Sequence, residues 1–248
     1  LINHKPGLSG DFDAAIAALP EPCVHATETP YRVLTTGIGG TGVLTVGAVL
    51  GMAAHLDGKA CTVMDQTGMA QKGGAVTSHL QVTDRPRPLF AARLDTGKTD
   101  LILACDMVVA SGASVLATVR KDETRAVLNV DVTPTGAFQT NRDDKIEPDK
   151  LEATIKAALG SADVFGVPAT RLATTLFGDS IAANFLMVGY AMQKGLLPVT
   201  RHAVEEAIRL NGTNVAENLR TLALGRLIAH QPERFARELA SEPPTDNS

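Results

Sequence analysis

Two neighbouring stretches hold the residue types that could do chemistry. One is Gly37-Ile38-Gly39-Gly40-Thr41-Gly42; the other is Gln66-Thr67-Gly68-Met69-Ala70-Gln71-Lys72-Gly73-Gly74-Ala75-Val76-Thr77-Ser78-His79. The first lies between an apolar run, Tyr31 to Leu34, and a small-and-apolar segment, Val43 to His55, so it reads as strand, glycine turn, helix. Glycines let the backbone turn tightly and approach a ligand, and the positive end of the following helix favours a phosphate or another anion. The second stretch sets two glycines, a lysine and several hydroxyls between two apolar segments, where a plain connection needs far fewer residues. It reads as a working loop.

Gly37, Gly39 and Gly42 fit G-x-G-x-x-G, and Asp65 closes the next strand roughly twenty residues on, where a dinucleotide-binding domain places its ribose acid. That pattern alone points to NAD, or equally to a glycine turn that serves packing. A dinucleotide fold gives no reason for Gly68, Gln71, Lys72, Gly73 and Gly74 directly after the acid. His79 stands in a strand of alternating pattern and reads as a structural hydrogen-bonder. His55 and His202 read as helix-surface residues, and no spacing makes a metal site.

The elements that must position these residues alternate between strand and helix from Tyr31 onward: 32–35, 43–55, 60–65, 75–82, 100–103, 111–120, 125–130, 149–159 and 163–168. The run Asp100 to Asp106 is open to a strand or a helix start, and strand is preferred at 100–103. Pro148 falls in the first turn of the helix at 149–159. Four further helices are expected at 169–177, 181–193, 200–210 and 215–229, the third capped by Thr200. Such alternation predicts an α/β fold, a three-layer α/β/α sandwich around a mostly parallel sheet. Residues 1–30, with a short helical pattern and then Pro20, Pro22 and Pro30, read as a linker from a preceding domain; 31–235 form the domain and 236–248 a flexible tail. The loosely patterned opening and a first residue other than Met suggest a segment of a longer polypeptide.

The chain has 248 residues, enough for one large domain with a sizeable core. It has no run of 18 apolar residues and no secretory-type start, so a cytoplasmic setting without membrane contact is expected. A net charge of −4 argues against nucleic acid, although Arg85, Arg87 and Arg93 could meet phosphate locally. The three cysteines, Cys23, Cys61 and Cys105, form no C-x-x-C and cannot supply a four-cysteine cluster; they read as packing residues.

Taken with Gly178-Asp179-Ser180-Ile181-Ala182-Ala183-Asn184 and Gln193-Lys194-Gly195-Leu196-Leu197-Pro198, the two glycine stretches resemble the gamma domain of 2-oxoacid:ferredoxin oxidoreductases. The likeness spans Tyr31 to Ala229 and is greatest to the domain near the carboxyl end of the fused indolepyruvate enzymes. It implies part of an enzyme that decarboxylates a 2-oxoacid, passes electrons through [4Fe-4S] clusters to ferredoxin and delivers the acyl group to coenzyme A. Thiamine diphosphate, Mg and the clusters would lie outside this segment, which would supply no catalytic residue and no metal ligand. Gly178-Asp179-Ser180 begins like a thiamine-diphosphate signature but lacks its third glycine, and reads instead as a helix cap at Asp179 or Ser180.

The resemblance further implies a coenzyme A contact at Gln71 and Lys72, with Gly73 and Gly74 beside them, a second at Asn184, and a third at Thr41 with the backbone of Gly37, Gly39, Gly40 and Gly42. A lysine suits a diphosphate as a mobile point charge. The plainer readings are a solvated loop lysine and an asparagine that ties or caps helices. The implied partners are thiamine-diphosphate and ferredoxin-like domains or subunits, ferredoxin itself, and a second copy in a homodimer of the complete enzyme. Two rival classes stand beside this one: an NAD-dependent dehydrogenase, and a structural assembly domain.

Overall fold

Pro20, Pro22 and Pro30 keep the chain extended between a first helix, α1 (Gly10–Ala17), and the first strand, β1 (Tyr31–Ile38). The structure, a computed structural model, describes residues 10–68, 74–84, 91–131, 147–178 and 180–235. Gln71, Lys72, Gly73, Asp179, Arg85, Arg87 and the expected tail 236–248 lie outside the described residues. After β1 come α2 (Val43–Leu56), β2 (Ala60–Thr67), β3 (Ala75–Thr83), β4 (Leu101–Ala104), the short α3 (Met107–Ala110) and α4 (Ala113–Leu116), and β5 (Arg125–Asn129). Then follow α5 (Pro148–Leu159), β6 (Val164–Val167), α6 (Ala169–Phe177), α7 (Ala183–Gln193), α8 (Arg201–Asn211), α9 (Val215–His230) and a 3₁₀ turn at Pro232–Phe235.

The strands form one six-stranded sheet in the order β2-β3-β1-β4-β5-β6. β1, β4, β5 and β6 run parallel, and β3 is antiparallel to both of its neighbours, so β2 runs with β1. Parallel strands are covered on both faces, which is why Leu101–Ala104 is apolar at every position. Leu101 and Leu103 face the layer built by α1, α2 and α6 to α9, whereas Ile102 and Ala104 face α3, α4 and α5. The three-layer sandwich with a mostly parallel sheet is therefore observed.

Three sequence expectations are corrected. First, β2 and β3, which flank the glycine-lysine stretch, pair antiparallel as a hairpin, Ala60 against Thr83 through Thr67 against Val76. That hairpin puts β3 between β1 and β2, so the strand ending in Asp65 is not the neighbour of β1. A dinucleotide fold needs that adjacency for its acid to reach the ribose, and the NAD reading loses its geometric basis. The helix expected at 111–120 is two one-turn helices: the Asp106 carboxylate starts α3 by accepting from Val109 N at 2.8 Å, and Gly112 separates α3 from α4. Finally, Ser180 is not the cap of α7. The N-cap is Ala182, without a side-chain hydrogen bond.

Helix α7 is buried on almost every side, and small residues let α9 cross it. A Cβ on Gly189 would overlap the Leu222 carbonyl oxygen, and one on Gly225 would overlap that of Leu186. Thr200 caps α8 as expected, accepting from Ala203 N at 3.1 Å. The segment read as a linker packs onto the body: Phe12 is buried in the main core, Arg220 lies over its ring, and Arg226 and Gln193 both donate to Pro20 O at 3.1 Å. Among the described residues, no helix is long and apolar enough to cross a membrane.

Candidate functional site

Helix α2 leaves β1 on one face of the sheet and α3 leaves β4 on the other, so the crossovers diverge between β1 and β4. In open α/β sheets, ligands gather at such a switch point, outside the carboxyl ends of the strands. There the chain folds through Gly37–Gly42. Gly40 and Gly42 have φ of 89° and 87°, in the left-handed region that side-chain-bearing residues avoid. Gly37 is needed for another reason: a Cβ there would overlap Val43. Gly42 is the N-cap of α2 and offers no side-chain acceptor, so the first turn of that helix has no side-chain cap.

Two elements close on this turn. Gly39 N donates to Gly74 O at 2.9 Å, and Gly68 N donates to Ala75 O at 2.8 Å, so the base of the β2–β3 hairpin is pinned beside the glycine turn. From the opposite side, Asn184 on the first turn of α7 donates from Nδ2 to Thr41 O at 2.6 Å. Asn184 is 7% exposed, so this contact crosses from α7 to the turn largely away from water. The Thr41 hydroxyl donates to Ile38 O at 2.7 Å. Gly37, Gly39, Gly40, Thr41, Gly42, Gly74 and Asn184 are thus brought to one place.

Behind the turn lies a cleft of about 130 Å³ whose far wall the sequence reading missed. It is made by Cys105 and Asp106 after β4, Asn129 and Asp131 at the end of β5, and Thr170 on α6. Asn129 organises that wall. Its Nδ2 donates to Thr170 Oγ1 at 2.7 Å and to Cys105 O at 3.2 Å, while its Oδ1 accepts from Ala169 N at 3.1 Å. Asp131 accepts from Arg171 N at 2.7 Å. Burial pushes the carboxyl groups of Asp106 and Asp131 above the usual carboxylate range, against the pull of Val109 N–H on the first and of Arg171 on the second. Burial, followed by the charge of Asp106, pushes the Cys105 thiol up to about 12, so it is protonated and unreactive. No motif in the sequence joins Cys105 and Asp106 to Asn129, Asp131 or Thr170. The available signal was position, a polar residue directly beyond the carboxyl end of an apolar strand.

His79 is structural. It is 3% exposed, its Nδ1 accepts from Leu94 N at 3.2 Å, and its Nε2 meets Thr77 Oγ1 at 3.1 Å and Gln66 Oε1 at 3.2 Å. An accepting Nδ1 puts the proton of the neutral ring on Nε2. Burial, and then Arg93, lower its pKa. His55 and His202 are exposed on α2 and α8. Cys23 is exposed rather than packed, and Cys61 and Cys105 are part-buried. Among the described residues, no group of three or more His, Cys, Asp or Glu is placed to hold a metal ion.

This arrangement defines a doubly wound α/β domain with a glycine-turn cleft at its switch point. A profile of the pyruvate ferredoxin/flavodoxin oxidoreductase family matches residues 32–228, and the chain belongs to that family as a gamma-type domain of a 2-oxoacid oxidoreductase. The indolepyruvate oxidoreductase subunit IorB of Methanothermobacter thermautotrophicus is 24% identical over 183 residues, covering 73% of this chain and 87% of the relative. The 2-oxoglutarate synthase subunit KorC of the same organism is 30% identical over 183 residues, covering 73% of this chain and 85% of the relative. The pyruvate oxidoreductase subunit PORC of Thermotoga maritima superposes with a TM-score of 0.57 at 16% identity, over 79% of this chain and 95% of that one. A 2-oxoglutarate:ferredoxin oxidoreductase from Magnetococcus marinus, solved with 2-oxoglutarate, coenzyme A and succinyl-CoA bound, superposes with a TM-score of 0.58 at 15% identity, over 87% of this chain and 32% of that one. At these identities the structural likeness speaks for the fold.

Proposed function

We propose that the chain is the gamma domain of an indolepyruvate-type 2-oxoacid:ferredoxin oxidoreductase, which converts a 2-oxoacid to an acyl-CoA while reducing ferredoxin. Its task is to shape the coenzyme A side of the active site and to dock the catalytic domains. The observation that carries this reading is the meeting of the glycine turn, the base of the β2–β3 hairpin and Asn184 beyond the carboxyl end of β1. Gln71, Lys72 and Gly73 follow Gly68 and precede Gly74 in the sequence, and on this reading they supply the coenzyme A contact. Thiamine diphosphate with Mg, which stabilises the carbanion formed on decarboxylation, and the [4Fe-4S] clusters belong to other domains or subunits. The complete enzyme is a cytoplasmic homodimer.

Electrostatics decide how a coenzyme A molecule lies here. Asp106 and Asp131 make the cleft unfavourable for phosphate, so the diphosphate belongs outside it, against Gly40 to Gly42 and Lys72. The Lys72→Ala variant of the complete enzyme tests the assignment. Loss of one charge-assisted contact costs about 1.5 to 3 kcal/mol, roughly ten- to a hundredfold in apparent coenzyme A affinity. Dye reduction before acyl transfer is expected to persist. A variant that keeps its coenzyme A dependence but loses decarboxylation would move Lys72 to the thiamine side or to docking. Turnover compared across indolepyruvate, 2-oxoglutarate and pyruvate tests the substrate, and preference for 2-oxoglutarate would overturn the indolepyruvate reading.

A further inference from the structure

The cleft behind the glycine turn holds more negative charge than the chain itself answers. Of the residues that line it, Asp106 and Asp131 are acidic and none is basic. Asp106 is 7% exposed, and its carboxylate meets the N–H groups of Val108 and Val109 but no cation among the described residues. Capping α3 needs one acceptor oxygen and no charge, so it does not account for a carboxylate here. An aspartate so far from water is ordinarily paired. Asp131 has Arg171 beside it and accepts from Arg171 N. A neutral group adds an independent sign of a missing donor: Asn184, also 7% exposed, uses Nδ2 on Thr41 O, while its Oδ1 accepts from no described residue. The lining also has an apolar side, made by Ile38 and by Ile181, which is 50% exposed.

We propose that this cleft is a receptor for a guanidinium group, the head of an arginine side chain that a neighbouring domain or subunit of the complete enzyme inserts. The identity of that neighbour as a catalytic domain rests on the function proposed above; the chemistry of the cleft does not. Its acceptors come from three elements, Asp106 after β4, Asp131 after β5 and Asn184 on α7. Five N–H donors in a planar fork serve acceptors spread in this way, whereas an ammonium group has three and holds its water more tightly. At about 130 Å³ the cleft has room for more than a single water or a bare ion. The methylene stem of an arginine lies along Ile38 and Ile181, as long cationic side chains cover apolar surface while their heads find polar partners. Amphipathic lining and unanswered carboxylate thus describe one occupant, apolar along its length and cationic at its end.

The test titrates methylguanidinium into Leu1–Ser248 by calorimetry at constant ionic strength, with neutral methylurea as control. Saturable binding of methylguanidinium is expected, about tenfold or more tighter than that of methylurea, and about tenfold or more weaker in Asp106→Asn. Asp65→Asn, outside the cleft, should leave it unchanged. In the complete enzyme the arginine fills the cleft, so the probe should not bind. Melting gives a second readout: Asp106→Asn should lower the melting temperature of the complete enzyme by about 2 °C or more, because the inserted arginine loses its carboxylate, and should not lower that of Leu1–Ser248 alone. No binding by the chain alone, equal binding of methylurea, or the same Asp106→Asn effect in both settings overturns the proposal. Saturable binding by the complete enzyme would make the ligand a free guanidinium compound, and overturns it too. Neither readout involves coenzyme A or Lys72, so failure here leaves the Lys72→Ala result standing, and failure there leaves binding by the cleft standing.

Discussion

At the scale of single residues, buried titratable groups push stability in opposite directions with pH. His79 is held neutral by burial and Arg93, with its folded pKa below the ordinary histidine value of 6.5. As pH falls from 6.5 toward that lower value, unfolded chains take up a proton that folded chains refuse, so stability present above 6.5 is progressively lost. Asp106 and Asp131 do the reverse. Their folded pKa values lie above 3.8, so the stability they contribute is complete below 3.8 and declines as pH rises through the raised values. Thermal melts between about pH 7.5 and 5.5 should therefore fall more steeply for the parent than for His79→Gln. Asp106→Asn, which keeps an acceptor for Val109 N–H, should melt no lower than the parent at about pH 7. A steeper fall in His79→Gln would contradict the neutral, Nε2-protonated ring.

At the scale of elements, the crossing of α7 and α9 is set by two glycines, each pressed against a carbonyl of the other helix. Gly189→Ala or Gly225→Ala must separate the helices, and each is expected to cost about 1 to 3 kcal/mol or more in urea unfolding. Because both act at one crossing, the double variant should cost less than the sum. A loss within about 0.5 kcal/mol for either would show that the crossing yields easily. Sequence periodicity revealed most of these elements, and Thr200 showed where α8 begins, because apolar spacing and capping are local properties. Strand direction is not local. The alternation of Ala75 to Val82 is the same for a parallel or an antiparallel strand, so nothing in it showed that β3 turns back from β2 and inserts beside β1. The same limit hid Asp106, Asn129, Asp131 and Thr170: they come from three separate segments, and only parallel pairing of the strands gathers them. Asn184 was singled out by the family resemblance, and its bond to Thr41 O sets it beside the glycine turn.

At the scale of the whole molecule, the proposed division of labour assigns this chain the shaping of a site and leaves the carrying of electrons to other domains or subunits. It has three cysteines, and the structure sets them apart: Cys23 exposed before β1, Cys61 on the edge strand, Cys105 beyond β4. Cys61 donates to Gly51 O at 3.4 Å, and burial raises its pKa, as burial and Asp106 raise that of Cys105. Protonated thiols are poor metal ligands, and a [4Fe-4S] cluster needs four thiolates. Leu1–Ser248 produced alone should therefore be colourless after anaerobic reconstitution with iron and sulfide, and EDTA should leave its melting temperature unchanged. It should also show no dye reduction with any 2-oxoacid until the remaining domains or subunits are added. Stoichiometric iron with a broad visible absorption band, or 2-oxoacid-dependent dye reduction by this chain alone, would mean that it holds a redox centre and would overturn the division of labour argued for it.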